Sequence, residues 1–427
     1  MSVERSRALA DALRRSFWFL PGTGMILGLA LGFALPAIDQ SVSVDFGLFS
    51  FDDADSARSL LETVATVMIS VAAVGFSVSM VAFTLASQQL GPRVLRTFQR
   101  DRLSQSLLAV FLGTFAYCLI VLSTLELGDR RELSLALAIV AAVGAFAVFV
   151  AFIHHAVISL QPSTLIRRMA VDGQTAIARR YPAEIGRDPR APEEAERRAH
   201  ARTAGGSPIE IRARRAGFLT ELYGEGLMAP LQRADALVVQ RARLGDFTVT
   251  GGLLAELWVG HDADRAQVTD KVAEAFRLAD ERTVVHDVSF PVRQLADVAL
   301  RGLSPSLNDP TTAENAMNSL TDTLVRFAAE PPAPAVRVDG QGEPRVVALP
   351  PQLDDLVRLG FEQVRVQVAT HPVVAARLLV LLSEVERAAV EHGVPCAEVT
   401  RQARLLREGA QANVPTRADA ENLTTGP

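Results

Sequence analysis

Four apolar runs constrain this chain more than anything else in it: Phe17 to Ile38, Thr63 to Ala86, Leu103 to Leu125, and Leu133 to Leu160. A helix crosses the hydrocarbon core of a bilayer in about 20 residues. Within that core every backbone N–H and C=O must be bonded inside the segment itself. None of the four runs contains Asp, Glu, Lys or Arg. They predict an α-helical membrane domain of four transmembrane helices over residues 1–165. The first run is rich in Gly and Pro, has no small-residue cleavage site and precedes three further runs, so it reads as a retained span.

Arginines set the expected orientation. Arg5, Arg7, Arg14 and Arg15 precede the first span, Arg93, Arg96, Arg100 and Arg102 fill the second loop, and Arg167, Arg168, Arg179 and Arg180 follow the fourth. The first loop carries Asp39, Asp45, Asp52, Asp53 and Asp55 with Arg58 alone, and the third is the short LGDRRE. Positive loops stay inside. Both termini, and everything after about Leu160, are therefore expected in the cytoplasm of a cell whose inner membrane the chain spans several times.

Two patterns inside the spans bear on assembly. Gly24, Gly28 and Gly32 recur at four-residue spacing, which lets another helix approach closely. Thr66, Ser70, Ala73, Ser77, Thr84 and Gln88 fall on one face of the second span and form a weakly polar stripe. Such hydroxyls either line a water path or bond to neighbouring helices and to their own backbone, and the second use is the commoner one. His154 and His155 lie near the end of the fourth span without a nearby Cys, Asp or Glu to complete a metal site. No span has a carboxylate at mid-depth, which counts against proton-coupled transport.

The residue inventory removes several chemistries. A net charge of -5 lacks the basic excess that follows a phosphate backbone, so no nucleic-acid partner is expected. Cys118 and Cys396 are the only cysteines, one in an apolar span and one in a polar helical stretch, which argues against a disulfide framework or a cysteine metal site. Lys271 is the only lysine, so a Schiff base or a phosphate-cradling P-loop has no other candidate. No cofactor and no metal are expected.

Beyond the spans, residues 166–215 include RDPRAPEEAERRAHARTAGGSP, which has no apolar face and reads as a charged linker or insertion. Residues 216–262 show short apolar runs with turn signals at Gly245, Asp246, Gly251 and Gly252, which predicts a small β-rich domain. The phrase GDFTVTGGLL is similar to the turns of biotinyl or lipoyl-type hybrid barrels. Those carriers need a lysine at a hairpin tip, and Lys271 falls instead in the helical pattern DKVAEAFRLADE, which excludes a swinging arm.

Residues 263–411 then read as a mainly helical domain. Asp287 is placed to cap a helix whose apolar face is Val288, Val292, Leu295, Ala299 and Leu303. The stretch around 336–348 is either a linker carrying a hairpin near Asp339 and Gly340 or two strands joining the β-domain. Residues 412–427 read as a disordered tail.

Between two of these helices lies LRGLSPSLNDPTTAEN, Leu300 to Asn315. Gly302 and Pro305 end one helix, and Asp309 can cap the next with Pro310 in its first turn; Thr311 with Glu314 offers a competing capping box. Asn308 and Asp309 stay as binding candidates. Catalysis there would need a base, and His286, the nearest histidine in sequence, sits at the far end of the preceding helix.

Two segments carry a family resemblance. LASQQLGPRVLRTFQRD at the end of the second span and LRGLSPSLNDPTTA downstream are similar to paired segments of a family of predicted bacterial membrane proteins, domain of unknown function 2254. Gly91 stands where that family usually has Ser, and Leu307 where it usually has Ile. The resemblance runs from about Phe17 to Val390. It implies a multi-span membrane protein with a cytoplasmic portion and brings no catalytic residues with it.

The functional expectation is a channel-like or transport-related homo-oligomer in the lipid bilayer, passing an ion or small solute. Thr66, Ser70, Ser77, Thr84 and Gln88 would line the path, Arg93 and Arg96 would stand at its cytoplasmic mouth, and the cytoplasmic domain would gate it. The rival is a membrane-anchored sensor or scaffold whose helical domain binds a cytoplasmic protein. An enzyme ranks third, because no nucleophile with its base stands out in the sequence.

Overall fold

The computed structural model describes residues 18–39, 54–90, 102–125, 132–159, 161–179, 185–222, 227–260, 265–283, 286–411 and 413. The chain divides into two compact units, Met1–Thr164 and Leu165–Pro427. The tail beyond 413, and the loop arginines Arg93 and Arg96, lie outside the described residues.

The first unit holds four helices long and apolar enough to cross a membrane: α1 (Phe19–Asp39), α2 (Ala54–Leu90), α3 (Arg102–Ser123) and α4 (Glu132–Ser159). The second begins nine residues earlier than its apolar run. Asp55 in its first turn suits the positive end of the helix dipole, and Arg58 pairs with Glu62 one turn on at 3.5 Å, so polar residues extend the helix beyond its apolar stretch.

α3 is the hub. Half of its apolar window is buried, against about a fifth for each of the others. Its sequence explains the position: Ala109 and Gly113 leave room for a backbone, and α1 supplies Gly24 and Gly28 opposite them. A Cβ at Gly24 would overlap the Ala109 carbonyl, and one at Gly28 would overlap the Gly113 carbonyl; Gly32 lies against the side chain of Ile120. The glycine stripe thus packs within the chain. Such contact between small residues is what drives helix association where lipid removes the hydrophobic effect.

Three spans are also tied at one end by polar groups. The Asp39 carboxylate accepts hydrogen bonds from the backbone N–H of Leu133 and of Ser134, both at 3.0 Å, and from the Ser134 hydroxyl at 2.5 Å. It therefore satisfies the open N–H groups at the start of α4, where a negative charge is most favourable. From α3 the Tyr117 hydroxyl donates to the Ser134 carbonyl at 2.8 Å. Phe111 and Phe149 meet edge-on at 6.3 Å farther along the α3–α4 contact.

The second unit is mixed, with helices in the majority and two small sheets. Residues 166–215, expected as a charged linker or insertion, carry regular structure: most of α5 (Pro162–Ala178), α6 (Pro192–Thr203) and strand β1 (Ile209–Arg212). α5 buries Leu165, Ile166, Met169, Ala170, Gly173, Ala176 and Ile177 on one face. α6 looked featureless because its apolar face is only Ala195 and Ala199. One helical turn apart, these two alanines fit a shallow cluster of Leu237, Val239, Val336 and Val338.

The β-region is also wider than the expected 216–262. β2 (Gly217–Leu222), β4 (Phe247–Thr248) and β6 (Phe276–Ala279) form a three-stranded sheet in the order β4-β2-β6. β1, β5 (Leu253–Trp258), β3 (Leu237–Gln240), β8 (Pro344–Val347) and β7 (Val336–Val338) form the other, in that order. β7 and β8 are antiparallel to each other, while β8 runs parallel to β3 with Val238 opposite Val346. The 336–348 stretch is therefore two strands joining the sheet. Two short helices belong to this layer: α7 (Met228–Arg233) and α8 (Arg265–Ala275). The helical reading of DKVAEAFRLADE fails at Phe276, where the chain switches to β6 and pairs with β2. Phe276 and Leu278 follow the two-residue period of a strand, not the three- and four-residue steps of a helix face, and they pair opposite Leu222 and Leu219 of β2.

The remaining helices, α9 (Ser289–Gly302), α10 (Pro310–Ala329), α11 (Leu353–Val368), α12 (Pro372–Glu391) and α13 (Ala397–Gln411), pack through strongly amphipathic faces. Val292, Leu295 and Ala299 of α9, Leu320 and Leu324 of α10, Phe361 and Val364 of α11, and Leu378 and Leu382 of α12 are all fully buried.

Candidate functional site

The polar stripe of α2 points away from the other three spans. Thr66, Ser70, Ser77 and Thr84 are exposed, whereas Leu61, Ala65, Met68 and Ala72 on the opposite face are buried against α3 and α4. Their burial pattern follows from size and polarity: the apolar side chains at three- and four-residue steps fill the intrachain contact and leave the hydroxyl face outward. The Ser70 hydroxyl donates to the Thr66 carbonyl at 2.7 Å, and the Thr84 hydroxyl to the Met80 carbonyl at 2.9 Å. These bonds to the preceding turn are how a hydroxyl is accommodated in a helix facing lipid. Gln88 is on the same helix, but its side chain lies outside the described residues. The face is not purely polar, since Val67, Val74, Met80 and Val81 are exposed beside it.

At the 300–315 corner, Asp309 caps α10. Its carboxylate accepts from the Thr312 backbone N–H at 3.1 Å and from the Thr312 hydroxyl at 2.5 Å, with Pro310 in the first turn. Asp309, not the competing Thr311–Glu314 box, therefore starts the helix. The Thr312 hydroxyl, followed by the Thr312 N–H, holds the Asp309 carboxyl below the usual carboxylate range. Asn308 adopts the left-handed region at φ 45°, which Asn tolerates better than most residues. Its side chain is exposed, and Ser304 and Ser306 bond to each other at 3.2 Å.

Replacing Asp309 by Ala should cost about 1 kcal/mol of stability at neutral pH, the usual worth of an N-cap. Because the folded-state pKa is the lower one, that contribution is full above the unfolded carboxylate value of about 4 and fades as pH falls through the folded value. Denaturant unfolding of both proteins at neutral and acid pH checks it: the gap between them should shrink on acidification.

A second place concentrates polar groups that the sequence keeps apart. Between the turn at Arg243–Asp246, Arg282 with His286–Ser289, and the start of α11 lies a cleft of about 220 Å³. At its base the Asp287 carboxylate is 3% exposed. Arg282 donates to it through Nε at 2.9 Å and Nη2 at 2.6 Å, and the Ser289 backbone N–H and hydroxyl donate to its other oxygen at 3.0 and 2.5 Å. The guanidinium also lies 5.4 Å from the centre of the Phe290 ring. Gly245, at φ 88°, passes so close that an added Cβ would overlap both Asp287 and Arg282. Arg243 pairs with Asp355 at the mouth.

His286 is part of this cleft, with Nδ1 2.7 Å from the Arg179 carbonyl oxygen. It does not approach the 300–315 corner. The N-cap position of α9 is Val288 instead of the expected Asp287, which lies one residue earlier and accepts from the Ser289 N–H. Arg282, Arg243 and Asp355 were not legible, because nothing in their local sequence brings three separate segments together. Among the described residues, no three His, Cys, Asp or Glu side chains converge as a metal site.

Comparison with known proteins gives a consistent pattern. The predicted membrane protein family DUF2254 matches the chain over residues 14–384. Uncharacterized proteins of Mycobacterium bovis and of Mycobacterium tuberculosis strains H37Rv and CDC 1551 are each 30% identical over 419 residues, covering 95% of this chain and 78% of theirs. No solved structure matches.

Proposed function

The chain belongs to the DUF2254 family of predicted membrane proteins, and on that premise we propose that it forms a homo-oligomeric, channel-like assembly in the bacterial inner membrane. One observation carries this reading: the hydroxyl face of α2, from Thr66 through Ser70 and Ser77 to Thr84, is the polar surface that the packing of the four spans leaves outward. Copies meeting on that face would enclose a weakly polar path for an ion or small solute. Arg93 and Arg96, a few residues past the end of α2, would stand at its cytoplasmic mouth. Both termini would be cytoplasmic, and the second unit would gate the path. The glycines of α1 are committed to α3, so the proposed oligomer rests on α2.

The back-bonding of Ser70 and Thr84 favours a second reading. Hydroxyls already satisfied by their own helix need no water. The spans then serve as an anchor, and the second unit senses a signal or binds a cytoplasmic protein.

Single added cysteines at position 70 or 77 separate the two. In the channel reading Ser70→Cys and Ser77→Cys cross-link between copies on oxidation, react with a charged, membrane-impermeant thiol reagent, and that reaction blocks ion flux in reconstituted vesicles. Neither labelling nor flux leaves the anchor reading in place.

A further inference from the structure

We propose that the cleft between Arg243–Asp246, Arg282 with His286–Ser289, and the start of α11 binds a small zwitterion with an apolar tail, of the α-amino-acid kind. The cleft belongs to the second unit by itself, so this site and its test stand whether or not the spans conduct.

Three observations lead there. The first is size: about 220 Å³ is below the roughly 300–1,000 Å³ of sites for drug-sized ligands, which restricts the occupant to a small metabolite. The second is the apolar wall. Leu244, Leu349, Pro351 and Leu359 line the cleft and are only partly buried, so the protein itself leaves apolar surface facing into it.

The third is charge of both signs among the other lining residues. Arg282 is anchored by Asp287 through Nε and Nη2, which leaves its Nη1 edge for another acceptor. Arg243 reaches Asp355 through Nη1, which leaves Nη2. Asp246 uses one carboxylate oxygen for the Arg243 backbone N–H at 3.0 Å and keeps the other. The Arg179 carbonyl can only accept, so His286 donates to it from Nδ1. An anion alone would lie beside Asp246 and Asp355, and a cation alone beside Arg243 and Arg282. A ligand with a carboxylate and an ammonium satisfies both sets, while its side chain covers the leucines.

The arrangement is preformed. The Gly245 backbone sits against the Arg282–Asp287 pair, where any side chain would intrude, and Ser289 and Phe290 hold that pair from the α9 side. Binding would rearrange only the exposed Arg243–Asp355 pair, whose side chains are 44% and 35% exposed. Because the segments forming the cleft come from the β-layer and from the starts of α9 and α11, an occupant would fix these elements to one another.

Titration calorimetry on the full chain in detergent tests the site. L-leucine, L-methionine and L-phenylalanine are each compared with the analogue that lacks the amine and the analogue that lacks the carboxylate, which for leucine are 4-methylpentanoate and 3-methylbutylamine. At least one amino acid should bind saturably, and its two single-charge analogues should bind at least about tenfold more weakly, a difference of about 1.4 kcal/mol. Leu359→Trp, which fills the apolar end, and Asp246→Asn, which removes the ammonium partner, should each weaken binding by a similar factor while thermal unfolding stays cooperative. Lack of saturable binding by all three amino acids overturns the proposal. So does equal binding of a single-charge analogue, or binding that survives Leu359→Trp. The ligand series uses the unaltered protein, so it decides the question even if a variant fails to fold.

Discussion

Gly28→Ala should destabilise the membrane unit by about 3 kcal/mol, the upper end of the usual cost of overpacking. The added methyl group would occupy the position of the Gly113 carbonyl, and a backbone atom cannot turn aside as a side chain does. α1 would have to move away from α3, which loses the contacts at Gly24 and Gly32 as well. Gly22→Ala, earlier on the same helix at a position where an added Cβ would meet no other part of the described chain within 4 Å beyond its own helix backbone and chain neighbours, is the matched control. There the substitution should be neutral or favourable by about 0.5 kcal/mol, because alanine loses less backbone entropy than glycine in a helix. Thermal unfolding of the two variants in detergent checks the pair, and similar behaviour of both would contradict the close approach of α1 to α3.

Asp287→Ala should cost about 3–5 kcal/mol, as expected when one partner of a buried ion pair is removed. The loss has two parts. The Arg282 guanidinium, 16% exposed, would keep the Ser289 hydroxyl and the Phe290 ring but no longer face a carboxylate there. The start of α9 would lose the oxygen that accepts from the Ser289 N–H and hydroxyl. Adding Arg282→Met should recover part of this loss, because the stranded charge is then gone. Chemical denaturation of the two single variants and the double variant measures the coupling. A double variant whose loss equals the sum of the single ones would show that the pair acts as two independent groups.

The membrane spans were legible because a bilayer imposes a simple rule of length and polarity, and the chain obeys it without a charged residue in any run. What the sequence left undecided was which helix touches which. The Gly24–Gly28–Gly32 stripe announces a close approach but is equally compatible with another copy and with α3; Gly113, far along the chain, is what resolves it. The β-region was harder for a related reason. β1 and β8 are short, and they pair with β5 and β3, which are distant in sequence. α6 hid because two alanines are enough when the surface they meet is shallow.

For the candidate sites, local chemistry was readable and convergence was not. The capping role of Asp309 follows from Asp-Pro at a helix start, and the hydroxyl stripe of α2 follows from helical period. Arg243, Arg282 and Asp355 sit in ordinary polar contexts, and only the fold assembles them around Asp287.

The parallel pairing of β3 with β8 has a consequence for synthesis. Val238 cannot acquire its partner Val346 until the ribosome has made β4, β5, α8, β6, α9, α10 and β7 in between. Until then β3 has an open edge on that side, a surface that invites pairing with other chains. The four spans precede all of this and can enter the membrane first. The nascent second unit would thus wait, tethered and incomplete, with the tethering itself holding neighbouring copies in the same plane, so crowding of nascent chains is where misassembly of this protein would start.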